Sequence, residues 1–386
     1  MHMKALARNV SSIERSPIRA IFDRAAAYAD AIHLEIGQPD FAPPAHVVEA
    51  ACRAARADYT GYTANAGMMC LREAVAAKLD RENDLQVSPD NVVVTIGAMQ
   101  AVHASMALLL EPGDEVLLPD PGYGNFSMAA RLLHAVPRYY VTSQQHRFEP
   151  DFDQLESLVN ERTKVLFITS PSNPTGAVYS REVLQACMSF AQRHDLFVIS
   201  DETYDRLVYE GEHHSPARWD QDGRCISIFT TSKTYAMTGW RVGYAAMPPW
   251  MAKELAKIQE PVVSCANTVA QLAATAALMG PQDCVEAMRL EYKRRRDLAV
   301  ELALDNELPV SFPHGAFYML ADISSQAADS VTFCQRLLDE THVAVAPGIA
   351  FGAHSDGFVR ISLCASADAI SAGIPLLAEA LHQTSG

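Results

Sequence analysis

The stretch Leu196-Phe197-Val198-Ile199-Ser200-Asp201-Glu202-Thr203-Tyr204 decides the fold class, because a short apolar run gives way at once to acid, hydroxyl and phenol. The pattern recurs along the chain. Residues 164–169 run into Ser170-Pro171-Ser172-Asn173-Pro174-Thr175-Gly176, residues 225–229 into Thr230-Thr231-Ser232-Lys233, and residues 115–118 into Pro119-Asp120-Pro121-Gly122-Tyr123. Upstream, the β-branched run at 91–96 ends at Gly97, where a helix over 98–110 begins. Such runs read as strands buried on both faces, and their alternation with helical segments predicts an α/β fold with a mostly parallel central sheet. Ligands bind such sheets beyond the carboxyl ends of the strands. Gly97, Tyr123, Asn173, Asp201, Tyr204 and Lys233 all fall just past those ends.

The flanks predict a second, smaller unit. Residues 1–16 are polar and mixed, and read as an arm. Ser16 and Pro17 read as the N-cap and first position of a helix to about residue 30. A short strand at 33–36 follows and ends in Gly37-Gln38-Pro39-Asp40-Phe41. From about residue 280 a long helix precedes strand-like runs at 318–321, 343–346 and 358–362, the pattern of a smaller α+β domain. The expected division is an N-terminal arm and part of the small domain over 1–45, a large domain over 46–280 and a small C-terminal domain over 281–386.

A chain of 386 residues exceeds one ordinary core. Its 31 basic and 46 acidic residues give a net charge of −15, which disfavours nucleic acid or an anionic membrane as partner. The dense basic run Lys293-Arg294-Arg295-Arg296 reads as the solvated face of the long helix. Eight cysteines are scattered without a Cys-x-x-Cys pair or a His/Cys cluster. That argues against a disulfide framework and against a metal site, and suits a reducing compartment. With no apolar signal-peptide segment at the start and no run near the roughly 18 apolar residues of a membrane span, a soluble cytoplasmic protein is expected.

The polar residues at the strand ends suggest one chemistry. A lysine beside a desolvated pocket can lose its proton and attack a carbonyl to form a Schiff base, which makes Lys233 the candidate catalytic amine. Pyridoxal 5'-phosphate (PLP) needs such a lysine, together with an acid that keeps its pyridine nitrogen protonated; Asp201 is placed to be that acid. The N–H groups of Ala98 and Met99, opening a helix after Gly97, can hold a phosphate. Arg241, Thr230 and Ser232 would complete that cup. Tyr123 offers a ring to stack on the cofactor, and Asn173 and Tyr204 offer hydrogen bonds to its phenolic oxygen.

Three segments, Ser170 to Gly176, Ser200 to Tyr204, and Ser232-Lys233-Thr234-Tyr235-Ala236-Met237-Thr238-Gly239-Trp240-Arg241-Val242-Gly243, resemble the class I/II aminotransferases, the fold-type I PLP enzymes. Gly37-Gln38-Pro39-Asp40-Phe41, Tyr62-Thr63-Ala64-Asn65-Ala66-Gly67, Pro347 to Gly352 and Val359-Arg360-Ile361-Ser362 are similar to further motifs of that family, in the same order. The resemblance spans nearly the whole chain. It implies that Lys233 carries PLP as an aldimine and then moves the substrate proton, and that Tyr204 and Asp201 share the catalytic site. It implies that Arg360 clamps the substrate carboxylate with Gly37 and Asn173 close by. It also implies that Tyr62 reaches the phosphate of a neighbouring subunit, so a homodimer with shared active sites is expected. The implied reaction is ping-pong transfer of an amino group between an L-amino acid and a 2-oxo acid.

This chain departs from the family pattern at some positions. Some aspartate-using relatives carry a lysine where this chain has Met99, so an apolar or aromatic donor is expected rather than an acidic one, with Ile18, Met99 and Tyr123 as wall candidates. Met68-Met69-Cys70 and Thr230 also differ from the usual residues. The same lysine and electron sink can support elimination, substitution, decarboxylation, racemisation or oxidation in a specialised pathway, which is the alternative function. A regulator built on this fold would need an added DNA-binding domain, and a Rossmann dehydrogenase would need Gly-x-Gly-x-x-Gly after the first strand; neither is present in the sequence.

Overall fold

Strands that carry valine, isoleucine or leucine on both faces need cover on both sides, and the central sheet of the molecule has it. The computed structural model describes residues 7–383 apart from 12, 14 and 326–328; residues 1–6, 12 and 14 of the expected arm therefore lie outside the described residues. In chain order the strands are β1 (Ile32–His33), β2 (Val92–Thr95), β3 (Glu115–Asp120), β4 (Val136–Val141), β5 (Thr163–Thr169), β6 (Phe197–Asp201), β7 (Cys225–Thr230), β8 (Gly243–Ala246), β9 (Tyr318–Asp322), β10 (Val343–Ala344), β11 (Ala346–Pro347) and β12 (Phe358–Ser362). Among the described residues the main sheet has seven strands in the order β2-β8-β7-β6-β5-β3-β4. Only β8 runs against the others.

Alternation along each strand splits the core into layers. Val165 and Phe167 pack on one face with the helices Ala98–Leu109, Asn125–Leu132 and Pro249–Val262. Leu166 and Ile168 pack on the other face with the helix Arg181–Arg193. On that same side Val92 and Val94 meet the helices Ala45–Arg56, Met69–Asn83 and Thr268–Met279. Elsewhere β11, β12 and β9 form an antiparallel sheet, and β1 pairs in parallel with β10. Ile21 and Leu34, from the start of the chain, share one core with Phe333, Leu337, Ile370 and Ile374 from its end. No helix among the described residues is long and apolar enough to cross a membrane.

Several local expectations change. The first long helix is Pro17–Ala25, shorter than the pattern suggests, and the Ser16 side chain makes no cap bond. The chain must turn early to lay Ile32–His33 beside Val343–Ala344. The expected strand at 33–36 stops at His33, because the Glu35 carbonyl accepts a hydrogen bond from Arg360 instead of entering a ladder. The run at 343–346 divides between two sheets. Two strands escaped the sequence reading. β4 is a half-exposed edge strand containing Pro137, and β8 is built mostly of glycine and alanine.

The basic run is the largest correction. Lys293 and Arg294 lie on the outer face of helix Asp283–Asp305, as expected, but Arg295 and Arg296 are 6% and 0% exposed. Arg295 forks onto the Asp40 carboxylate at 3.0 and 2.9 Å and donates to the carbonyls of Cys364 and Ala365. Arg296 donates to the Pro313 carbonyl and to Glu210, and lies over the rings of Phe312 and Tyr209. The helix therefore uses this run as an internal clamp, one arm of which holds the loop that contains Gly37.

This burial predicts unequal effects of similar substitutions. Arg296→Ala should destabilise the protein by about 3 kcal/mol, because it strips a buried cation from its acceptors. Lys293→Ala, which removes an exposed pair with Asp297, should cost less than about 1 kcal/mol. Thermal unfolding of the two variants checks the contrast, and equal shifts would contradict the internal-clamp reading.

Candidate functional site

The carboxyl ends of β2, β3, β5, β6 and β7 open into a cavity of about 330 Å³. Lys233, Asp201, Tyr204, Ala98, Met99 and Tyr123 line it, as do Asn173, Thr230, Ser232, Arg241, Gly37 and Arg360. Tyr62 is the exception among the residues singled out from the sequence: it lies outside the cavity and is 94% exposed.

The floor is built by the two central strand ends. Asp201 closes β6 and is 8% exposed. Its Oδ1 accepts the Thr203 amide at 3.0 Å and the Thr203 hydroxyl at 2.5 Å. Burial nevertheless dominates and raises its pKa to about 6. Lys233 stands on the single-turn helix Thr231–Thr234, which follows β7 and is capped by Thr230. Its Nζ donates to the Gly37 carbonyl at 2.8 Å and lies 5.8 Å from the centre of the Phe317 ring. Burial lowers the pKa of this amine, so the neutral, nucleophilic form is favoured more than on an exposed lysine. The Tyr204 hydroxyl lies 2.9 Å from the Tyr318 hydroxyl, and burial raises its pKa.

One end of the cavity suits a phosphate. Gly97 adopts a φ of +89°, and a Cβ there would lie 2.4 Å from Arg241 Nη2, so only glycine lets the guanidinium approach. The helix Ala98–Leu109 begins at this point with no side-chain cap, which leaves its first N–H groups for a ligand. Arg241, itself in the left-handed region at φ 58°, donates to the carbonyls of Thr238 and Ile96. The Thr230 hydroxyl lies 2.8 Å from the Val242 carbonyl and 2.9 Å from the Ser232 hydroxyl. A helix start, a cation and two hydroxyls therefore meet.

The opposite end suits a carboxylate. Arg360, 3% exposed, donates from Nη1 to Asn173 Oδ1 at 3.1 Å and from Nη2 to the Glu35 carbonyl. Among the described residues its Nε is buried without a partner, a donor that an incoming acid can satisfy. The guanidinium is held between the rings of Tyr318 at 4.3 Å and Phe351 at 4.8 Å. Gly37 passes so close to Tyr318 that a Cβ would lie 1.8 Å from its hydroxyl oxygen. Tyr123 accepts a hydrogen bond from the Asn125 amide at 2.9 Å and meets Phe126 edge-on.

Sequence reasoning missed Tyr318, which touches Tyr204, Gly37 and Arg360 at once. Its only signal was an aromatic residue at the start of a predicted strand. Thr238, Phe126 and Glu35 also line the cavity without belonging to a recognised role. The donor set fits PLP in each part. The amine of lowered pKa faces a buried acid, the phosphate cup lies at the helix start, and an orphaned arginine nitrogen waits at the far end.

Comparison with known proteins agrees with this geometry. Residues 29–372 match the family model described as aminotransferase class I and II. The aspartate/prephenate aminotransferase of Thermus thermophilus is 38% identical over 98% of this chain and 99% of its own. Aromatic-amino-acid aminotransferase 2 of Thermococcus litoralis is 37% identical over 93% of each chain. The solved structure of the Thermus thermophilus aspartate aminotransferase with maleate superposes with a TM-score of 0.94 at 37% identity, covering 98% of this chain and 100% of that one. Nearly the full length is therefore shared with enzymes of the same fold, and the chain belongs to the class I and II aminotransferases, PLP-dependent enzymes of fold type I.

Proposed function

We propose that this aminotransferase prefers an amino donor with an apolar or aromatic side chain, and that the residues around the cavity divide the work as follows. When bound, PLP supplies an electrophilic carbon and a ring that withdraws electrons from the substrate Cα. With PLP held there, the neutral amine of Lys233 would be the group that bonds that carbon and, once displaced by the substrate amine, the base that would remove and return the Cα proton. The Asp201 carboxylate holds positive charge at the ring nitrogen, and Asn173 and Tyr204 bond the phenolic oxygen. Tyr123 covers one face of the ring and keeps water from it. Arg241, Thr230, Ser232 and the amides of Ala98 and Met99 grip the phosphate. Arg360 orients the substrate carboxylate, with Gly37 leaving room beside it. Tyr62, so exposed in one subunit, would complete the phosphate site of a second copy in a homodimer.

The observation that carries the donor preference is the charge of the lining. Among the described residues the cations around the cavity are Lys233, Arg241 and Arg360, and each already has a task. Recognition of a second, side-chain carboxylate favours a further cation. The lining adds no fourth cation among the described residues but does add the apolar side chains of Ile18, Ile36, Met99 and Phe126. Overall similarity does not decide the matter, since relatives named for aspartate and for aromatic amino acids are 38% and 37% identical.

The test is the half-reaction with single amino acids, followed as loss of the visible band of the bound cofactor. Phenylalanine, leucine or methionine should outpace aspartate by about tenfold or more, the worth of one missing charge-assisted contact. Met99→Lys should narrow that gap by raising the aspartate rate. A wild-type preference for aspartate would overturn the donor assignment.

The acid gives a second test. Asp201 has a folded pKa above that of an unfolded aspartate, so its ionisation opposes folding. Stability that is present below about pH 4 should be lost as pH rises to about 6. Across that window the wild-type apoprotein should lose on the order of 2 kcal/mol relative to Asp201→Asn. Saturating PLP should remove the loss by pairing the carboxylate. Parallel pH profiles of thermal stability for the two apoproteins would contradict the role given to Asp201.

A further inference from the structure

Residues that face the cavity have chain neighbours that turn to the other side of the sheet. Asp205 follows Tyr204, Phe229 precedes Thr230 and Glu202 follows Asp201. Two of these converge on one cation, Lys78 of helix Met69–Asn83, which is 3% exposed. Its ammonium donates to the Asp205 carboxylate and, at 2.7 Å, to Asn83 Oδ1, and stands 4.6 Å from the centre of the Phe229 ring. The third is reached through a relay. The Asn83 amide donates to the Ser215 hydroxyl at 3.2 Å, and Ser215 in turn donates to Glu202. The His213 imidazole lies 2.9 Å from the same Glu202 oxygen.

Core packing alone does not account for this arrangement. The helix offers Leu71, Val75 and Leu79 to the same core, and a leucine at position 78 would avoid burying a strongly hydrated ammonium. Lys78 does not itself line the cavity. Its partner Asp205, however, is the immediate chain neighbour of the phenol, and Glu202, reached through Asn83 and Ser215, is that of the acid. The Asp205 carboxyl, which burial pushes up, is brought below its ordinary value chiefly by Lys78, as expected of a paired charge. A buried ion pair of this kind contributes little net stability but fixes geometry, because its partners cannot separate without leaving a bare charge.

We propose that Lys78 is a positioning residue of the active site: through Asp205, and through Asn83 and Ser215 to Glu202, it holds residues 201–205 so that Asp201 and Tyr204 present their acid and hydroxyl to the cavity. The inference rests on the reading of Asp201 and Tyr204 as cofactor contacts, so the experiment separates the two. The holoenzyme is compared as wild type, Tyr204→Phe, Lys78→Met, and Lys78→Met combined with Asp205→Asn. The last variant removes both buried charges and keeps the protein foldable. The readouts are thermal stability, the pH midpoint of the visible band of bound cofactor, and amide hydrogen exchange over residues 201–205.

Tyr204→Phe should move the midpoint by about half a pH unit or more, the worth of one hydrogen bond. Lys78→Met should move it in the same direction and speed exchange in the segment. The double variant should regain thermal stability yet keep the shifted midpoint and the fast exchange. Recovery of stability, midpoint and protection together would overturn the proposal and leave Lys78 a structural residue only. If Tyr204→Phe leaves the midpoint unmoved, the reading of Tyr204 fails. Lys78 is then judged on exchange: wild-type protection in the double variant overturns its role, and lost protection supports it.

Discussion

A carboxyl group buried at the end of the middle strand is the constraint on which the site depends. Asp201 closes β6, the fourth of seven strands, and its protein hydrogen bonds among the described residues reach one oxygen only. Burial makes its charge costly until a cation arrives. The amine of Lys233 faces the complementary problem, since the same burial makes its own charge costly. Both strains are relieved by a ligand that is cationic at one end and electrophilic nearby, which describes a protonated pyridine aldehyde. The phosphate cup would then hold that ligand and the Arg360 clamp the substrate beside it, so that the reacting atoms would lie between the acid and the amine.

The clamp draws the two parts of the molecule together. Arg360 lies on β12, yet it bonds Asn173 beyond β5 and the Glu35 carbonyl of the N-terminal segment. Arg295 ties the same N-terminal loop to the long helix through Asp40. Tyr123 belongs to a loop whose Gly122 amide donates to the Phe351 carbonyl, and the Phe351 ring packs against Arg360. The proposed cofactor and substrate contacts thus share supports, so that a change in one side's packing should be felt at the other.

Much of the fold was legible because buried parallel strands announce themselves as apolar runs, and the strand-end residues because their polarity interrupts those runs. Lys233, Asp201, Asn173 and Arg360 reach one cavity on that logic together with the family motifs. The edge strand β4 and the small-residue strand β8 gave no such signal. Arg295, Arg296 and Lys78 were unreadable for a different reason: a charged residue on a helix looks solvated unless its distant partners are known. Tyr318 likewise has meaning only beside Tyr204, Gly37 and Arg360, which lie far from it in the chain.

The central claim is that Lys233, and no other lysine, bonds the cofactor. The direct measurement is borohydride reduction of the yellow holoenzyme, followed by digestion and mass mapping of the pyridoxyl group. The account predicts one equivalent per chain, carried on the peptide that contains Lys233, with none fixed in Lys233→Ala. A pyridoxyl group mapped to another lysine, or retained in that variant, would contradict it.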